Sequence, residues 1–181
     1  MSEKETAIPT GTLMQGKRGL IMGLANDKSL AWGISRYLAA QGAELAFTFQ
    51  GDALEKRVRP LAAELGSKVV LPCDVTDEES MDKVFETLEK EWGNLDFLVH
   101  AIGFSDKNEL RGKYLDTSPA NFALTMNVSC YSFTALAKRA YPLMKNGGSM
   151  LTLSYYGAER VMPHYNVMGV AKAALEASVR Y

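Results

Sequence analysis

Short apolar runs at Gly19–Met22, Leu45–Phe49, Val69–Leu71, Leu95–Ala101 and Met150–Leu153 alternate with longer stretches of helical spacing. The runs are bounded by Gly, Pro, Asp or Asn and lack the in–out alternation of a half-exposed strand, so each predicts a strand buried on both faces. Between them, Leu54, Val58, Leu61, Ala62 and Leu65 share one helical face, as do Met81, Val84, Phe85, Leu88 and Trp92. The second of these helices opens on Thr76-Asp77-Glu78-Glu79, a pattern in which Thr76 and Glu79 satisfy each other's backbone donors. Ser118-Pro119 predicts a further start, a cap followed by proline, for a helix running toward Tyr141, where Pro142 stops it. The last helical stretch, from about Tyr165, reaches Tyr181 with no Gly, Asn or Pro to end it. The chain is therefore expected to stop inside an element.

Strands of this kind joined by helical crossovers predict an α/β fold, a doubly wound parallel sheet of Rossmann type with helices on both faces. Residues 1–181 are expected to form one dinucleotide-binding domain, incomplete at its C-terminus and lacking its last strands. A chain that ended there would leave its fifth strand and last helix with an exposed apolar edge. Ligands of such sheets bind at the carboxyl ends of the strands. That rule directs attention to Gly23, Gln50, Cys73–Val75, Ala101–Ser105 and Ser154–Tyr156.

Composition narrows the function. Hydrophobic residues make up 47% and charged residues 23% of the chain, as in a globular protein rather than a disordered one. Lys and Arg total 20 against 21 Asp and Glu, so no basic excess exists to neutralise a nucleic-acid backbone. The polar segment Met1–Gly11 has no apolar core of a secretory signal, and no run approaches the length of a membrane span. Cys73 and Cys130 have no metal-ligand spacing and read as reduced thiols of a cytoplasmic protein; no metal site is expected.

The first turn, Gly23-Leu24-Ala25-Asn26-Asp27-Lys28-Ser29-Leu30-Ala31-Trp32-Gly33, is not the usual G-x-G-x-x-G. It still has what a pyrophosphate needs: Gly23 for a tight turn, Ser29 to cap the helix, and a helix N-terminus with free N–H groups. An ordinary strand-turn-helix has the same ingredients. At the second strand's end Gln50 can bond a ribose hydroxyl without the charge that would repel a 2′-phosphate. Lys56, Arg57 and Arg59 favour NADPH or simply form a solvated face. Asp74 can accept from an adenine amine while Val75 packs on the ring, or Asp74 can cap the following turn.

Downstream, Tyr165 and Lys172 stand seven residues apart, about two helical turns, so they can share a face. A nearby ammonium favours a phenolate and is expected to lower the phenol's pKa, making Tyr165 a better acid toward a developing oxyanion. Lys172 can also bond a nicotinamide ribose. Tyr155 lies just beyond the fifth strand, at the ligand-binding edge.

Together these residues resemble the short-chain dehydrogenase/reductases. More closely they resemble the divergent branch formed by the NADH-dependent enoyl-acyl carrier protein reductases of bacterial type II fatty-acid synthesis. The resemblance rests on Gly23-x5-Ser29-x-Ala31-x-Gly33, Gln50, Cys73-Asp74-Val75, His100-Ala101-Ile102-Gly103-Phe104 and Tyr165-x6-Lys172 in place of Tyr-x3-Lys. It implies that Gly23, Ser29, Leu30, Gln50, Asp74, Val75, Ile102 and Lys172 contact NADH. It implies that Tyr165 bonds the thioester carbonyl, that Tyr155 is the second site tyrosine, and that Gly103, Phe104, Ser105, Tyr155, Tyr165 and Met168 line the acyl pocket. By the same resemblance the partners are an enoyl-acyl carrier protein substrate and three further copies in a homotetramer, with the long helices near Asn121–Tyr141 and Tyr165–Tyr181 at one interface. Asn127 matches the asparagine of the wider superfamily's tetrad more weakly, and a helix bend explains it equally well. His100 and His164 read as structural. Two other classes compete: a general carbonyl-reducing dehydrogenase, which predicts Lys where Gly169 stands, and a non-catalytic nucleotide-binding module, which needs neither tyrosine.

Overall fold

The five apolar runs become five parallel strands in a computed structural model that describes residues 8–181: β1 (Arg18–Met22), β2 (Glu44–Phe49), β3 (Val69–Pro72), β4 (Phe97–His100) and β5 (Ser149–Thr152). Part of the polar segment Met1–Gly11, as far as Ala7, lies outside the described residues. The sheet order is β3-β2-β1-β4-β5, so the chain moves outward from β1 in one direction, then crosses back to fill the other side. That reversal between β1 and β4 is the switch point at which a crevice opens above the strand ends.

Helices α1 (Leu30–Ala40), α2 (Gly51–Glu64) and α3 (Glu78–Trp92) carry the first crossovers. Two apolar layers result. Trp32, Val58 and Ala62 pack with Ile21, Phe47 and Val99 on one face; Met81, Phe85 and Leu88 pack with Leu20, Met22 and Leu98 on the other. The faces of α2 and α3 read from the sequence are thus the buried ones, and β1, β2 and β4 are covered on both sides. β5 is not. Among the described residues it pairs only with β4, and Leu151 is 45% exposed, as are Val179 and the terminal Tyr181 to a greater extent. No helix of the described residues is long and apolar enough to cross a membrane.

Two expected caps form differently. Ser29 occupies the N-cap of α1, but its hydroxyl turns back into the loop, accepting from the amides of Ala25 and Asn26 at 3.2 and 2.9 Å and donating to Asn26 O. Thr76 does not cap α3: Asp74 takes both its amide and its hydroxyl, at 2.8 and 2.7 Å, and the cap passes to Asp77, which accepts from Glu79 N. Ser118 does cap α4 (Pro119–Met126), accepting from Asn121 N at 3.1 Å, while Glu109 grips the Ser118 amide and hydroxyl. The helix expected to run to Tyr141 is interrupted by one wide π turn at Asn127–Tyr131 before α5 (Ser132–Ala140). The last helix, α6, spans Asn166–Arg180.

Gly23 shows why the first turn tolerates only glycine. Its φ is +95°, and a Cβ there would sit 2.0 Å from the carbonyl oxygen of Ala101. A Gly23→Ala substitution combines backbone strain with a clash against main chain, so it is expected to destabilise the protein by more than about 2 kcal/mol in a urea titration. An unchanged midpoint would refute this account of the β1–β4 contact.

Candidate active site

The crevice above the strand ends is a cleft of about 430 Å³. It gathers Gly23, Gln50, Asp74, Val75, Ile102, Gly103 and Phe104, seven of the residues singled out in the sequence. Each stands at or just beyond the end of a strand, because parallel pairing brings all the carboxyl ends to one rim. At one end of the cleft Gln50 donates to Asp74 Oδ2 at 2.8 Å, so the two polar residues form one unit. Burial pushes the Asp74 carboxyl up, but bonds from the Thr76 hydroxyl and amide and from Gln50 outweigh it and hold the group below its usual value. Arg59, expected among the cations that favour a 2′-phosphate, is paired with Glu55 at 2.7 Å and lies over the Phe49 ring.

At the start of α1 the amides of Leu30 and Ala31 have no acceptor among the described residues, while Trp32 N and Gly33 N bond Ser29 O. The hydroxyl of Ser29 does not cover them. The Leu30 side chain is 72% exposed and lines no part of the cleft.

Lys172 lies on α6 with only 7% of its surface exposed. Its ammonium donates to Leu153 O at 2.9 Å and Ile102 O at 3.3 Å, the carbonyls just past β5 and β4. A Cβ at Gly103 would stand 3.5 Å from Nζ, an ordinary van der Waals contact, so the ammonium lies against this glycine. Burial lowers the Lys172 pKa, opposed by the Cys130 thiol.

The expected effect of this cation on Tyr165 is absent. The Tyr165 phenol is raised above its ordinary value, first by burial and then by the Tyr155 phenol, with no contribution from Lys172, whose donors are turned to the two carbonyls. Tyr165 instead meets Tyr155 edge-on, with centroids 4.9 Å apart. Its ring packs so closely on Gly157 that a Cβ there would lie 2.4 Å from Cδ1. It lines a second cleft of about 400 Å³, with Tyr114, Arg160, Met162 and Asn166, rather than the first. Tyr155 is half exposed between strand end and helix.

Three proposed pocket residues, Tyr155, Ser105 and Met168, line neither cleft. Ser105 is buried, accepting from Thr125 Oγ1 at 2.8 Å and Asn121 Nδ2 at 3.1 Å, and Met168 is buried on α6. The Asn121-x3-Thr125-x3-Ser129 spacing was the overlooked signal. Ser129 Oγ accepts from Phe104 N and donates to Phe104 O, both at 2.9 Å, so these side chains fix the 104–106 loop from one helical face. Asn127, in the π turn, has no side-chain bond of this kind.

His100 is fully buried and structural in its contacts. Ser132 donates to Val128 O, so its oxygen accepts from His100 Nε2–H at 2.8 Å, leaving Nδ1 to accept from the Thr152 hydroxyl at 2.9 Å. Burial and then the Lys172 charge push the imidazole down to about 4. The buried Cys73 thiol is pushed up to about 12, chiefly by burial and then by Asp74, which removes it as a nucleophile. Among the described residues no three His, Cys, Asp or Glu side chains gather as a metal site.

Residues 23–181 match the family model described as enoyl-(acyl carrier protein) reductase. A curated relative from Rhizobium meliloti, an enoyl-(acyl-carrier-protein) reductase (NADH), is 68% identical over 169 residues, 93% of this chain and 63% of that protein. This chain thus spans under two thirds of the length of that relative. A solved enoyl-(acyl-carrier-protein) reductase from Anaplasma phagocytophilum in complex with NAD aligns with a TM-score of 0.93 and 63% identity, covering 97% of this chain and 67% of that one. The corresponding structure from Aquifex aeolicus gives 0.91 and 49%, covering 93% and 67%.

The His100 environment generates a pH dependence. Its folded pKa lies below the unfolded 6.5, so only the unfolded chain binds a proton between about pH 6.5 and 4, and stability falls as pH falls through that window. The contribution is roughly 3 kcal/mol. Urea midpoints at pH 7 and pH 4.5 are expected to differ more for the parent protein than for His100→Gln; equal differences would refute the buried neutral imidazole.

Proposed function

The chain belongs to the enoyl-(acyl carrier protein) reductase family, and from that premise we propose that it takes part in NADH-dependent reduction of trans-2-enoyl thioesters borne on acyl carrier protein, the last step of a fatty-acid elongation cycle. The observation that carries the reading is the Lys172 ammonium, buried where the chain leaves β4 and β5 and bonded to Ile102 O and Leu153 O. The donor set fits a dinucleotide. Gln50 and Asp74 offer polar atoms for an adenosine at one end of the cleft and Val75 an apolar wall, while the free amides at the start of α1, which follows the Gly23 turn, offer donors to an anion. NADH bound there supplies the hydride that C3 of the enoyl chain accepts.

An ammonium has three N–H donors, and two are directed to carbonyls, which leaves Lys172 one for a ribose hydroxyl. Tyr165, held above its ordinary pKa, stays protonated at neutral pH and so acts as a hydrogen-bond donor to the thioester oxygen rather than as a phenolate. Enolate charge then develops against that donor before C2 takes a proton. Tyr155 fixes the Tyr165 ring edge-on. Phe104, 53% exposed at the cleft, and Gly103 are the residues we assign to the acyl chain.

Exposed Phe122 on α4, Tyr131 in the π turn and Val170 on α6 support a homotetramer assembled through these helical segments. Two buried, unpaired cysteines support a cytoplasmic setting, residues 1–181 read as one dinucleotide-binding domain, and the even charge balance speaks against nucleic acid.

The test is NADH oxidation by the purified protein with a crotonyl thioester against a simple ketone. Turnover is expected with the thioester only, and Tyr165→Phe is expected to lower kcat by about 100-fold or more. Preferential ketone reduction would select the general dehydrogenase, NADH binding without turnover would select the nucleotide-binding module, and an undiminished Tyr165→Phe would remove the role of that phenol.

A further inference from the structure

The backbone that delivers Tyr165 is unusual. His164 has φ +59° and Asn166 has φ +39°, so the tyrosine sits between two residues in the left-handed region. Neither neighbour is glycine, and such geometry persists only where surrounding contacts hold it. Turn bonds fix the tyrosine's own main chain: Tyr165 N donates to Met162 O at 3.3 Å, and Met168 N to Tyr165 O at 2.9 Å. The remaining constraint comes from far along the sequence. The Asn166 carboxamide donates from Nδ2 to Leu110 O at 3.1 Å and to Gly112 O at 3.3 Å. One amine therefore spends both its protons on a loop more than fifty residues upstream.

That loop follows Phe104 and continues to Tyr114, which lines the second cleft together with Tyr165 and Asn166. Just ahead of Leu110, Glu109 ties the same loop to the cap of α4. Asparagine suits both demands of the position, since it tolerates positive φ and carries two donors on one atom.

We propose that Asn166 is a positioning residue that ties the 110–112 loop to the first residue of α6 and thereby sets the angle at which Tyr165 presents its phenol. The inference rests on the enoyl reductase reading for the identity of the reacting group. It adds a specific requirement: the phenol is aimed from the loop side of the second cleft, through a carboxamide that does not touch substrate.

Asn166→Gly and Asn166→Asp separate the parts. Glycine accepts the backbone conformation at least as well and deletes the tether; aspartate keeps a residue tolerant of positive φ but sets oxygens against both carbonyls. Three quantities are read on the purified parent and both variants: kcat and KM with a crotonyl thioester, NADH affinity, and the rate of tryptic cleavage after the exposed Arg111 and Lys113. Both variants are expected to be cleaved several-fold faster, to bind NADH within about twofold of the parent, and to lose about tenfold or more in kcat, since small misplacements of a reacting group are costly. Faster cleavage with unchanged kcat would overturn the proposal by leaving Asn166 a loop tether only. Unchanged cleavage would overturn the tether itself, and lost NADH binding would assign the residue to the fold at large. A parent protein that does not turn over the thioester would refute the enoyl reductase reading, and the cleavage rates would still decide the tether.

Discussion

A single buried cation organises the ligand-facing rim of this protein. Lys172 must be desolvated to lie among β4, β5 and α6, and that cost is met by two main-chain carbonyls that would otherwise point out of the strand ends without partners. The arrangement is mutual: the carbonyls hold the ammonium, and the ammonium holds the chain where it leaves the sheet. His100, farther in, has to stay neutral beside it. These requirements explain why the small and polar residues here are gathered on one side of the sheet while the opposite ends of β1 and β4 are closed by ordinary ion pairs such as Lys17 with Asp96.

The two tyrosines obey a different logic. They lean on each other and on the naked backbone of Gly157 rather than on the lysine. A phenol in that setting keeps its proton. It is suited to polarising an oxygen by donation, and the burial that raises its pKa also makes each hydrogen bond it forms stronger than in water.

The architecture was legible because burial on both faces leaves a coarse signature: Leu20, Ile21 and Met22 in unbroken succession can only be an inner strand. The strand-end rule then located Gly23, Gln50, Asp74 and Ile102 without any knowledge of side-chain direction. What escaped was whatever depended on competition between neighbours. Thr76 has the chemistry of a cap, but Asp74 lies closer to its donors. Ser29 could reach down its helix or back into its loop, and the loop amides won. Ser105 and Met168 resemble pocket residues by their place in the chain, yet which way each faces is decided by Asn121, Thr125 and the packing of α6. The strand at the margin misled in another way, since β5 reads as buried while Leu151 faces outward.

The wide turn at Asn127–Tyr131 has a consequence for how the long helical segment is shared. Ahead of it, Asn121 and Thr125 serve the 104–106 loop; behind it, Ser132 serves the imidazole under the sheet's rim. A regular helix advances about 100° per residue, so an extra residue in one turn rephases everything downstream by roughly that angle. Removing it would swing Ser132 away from His100 while leaving the upstream contacts intact. The irregularity therefore works as a phase shifter, letting one continuous rod answer to two separate addresses.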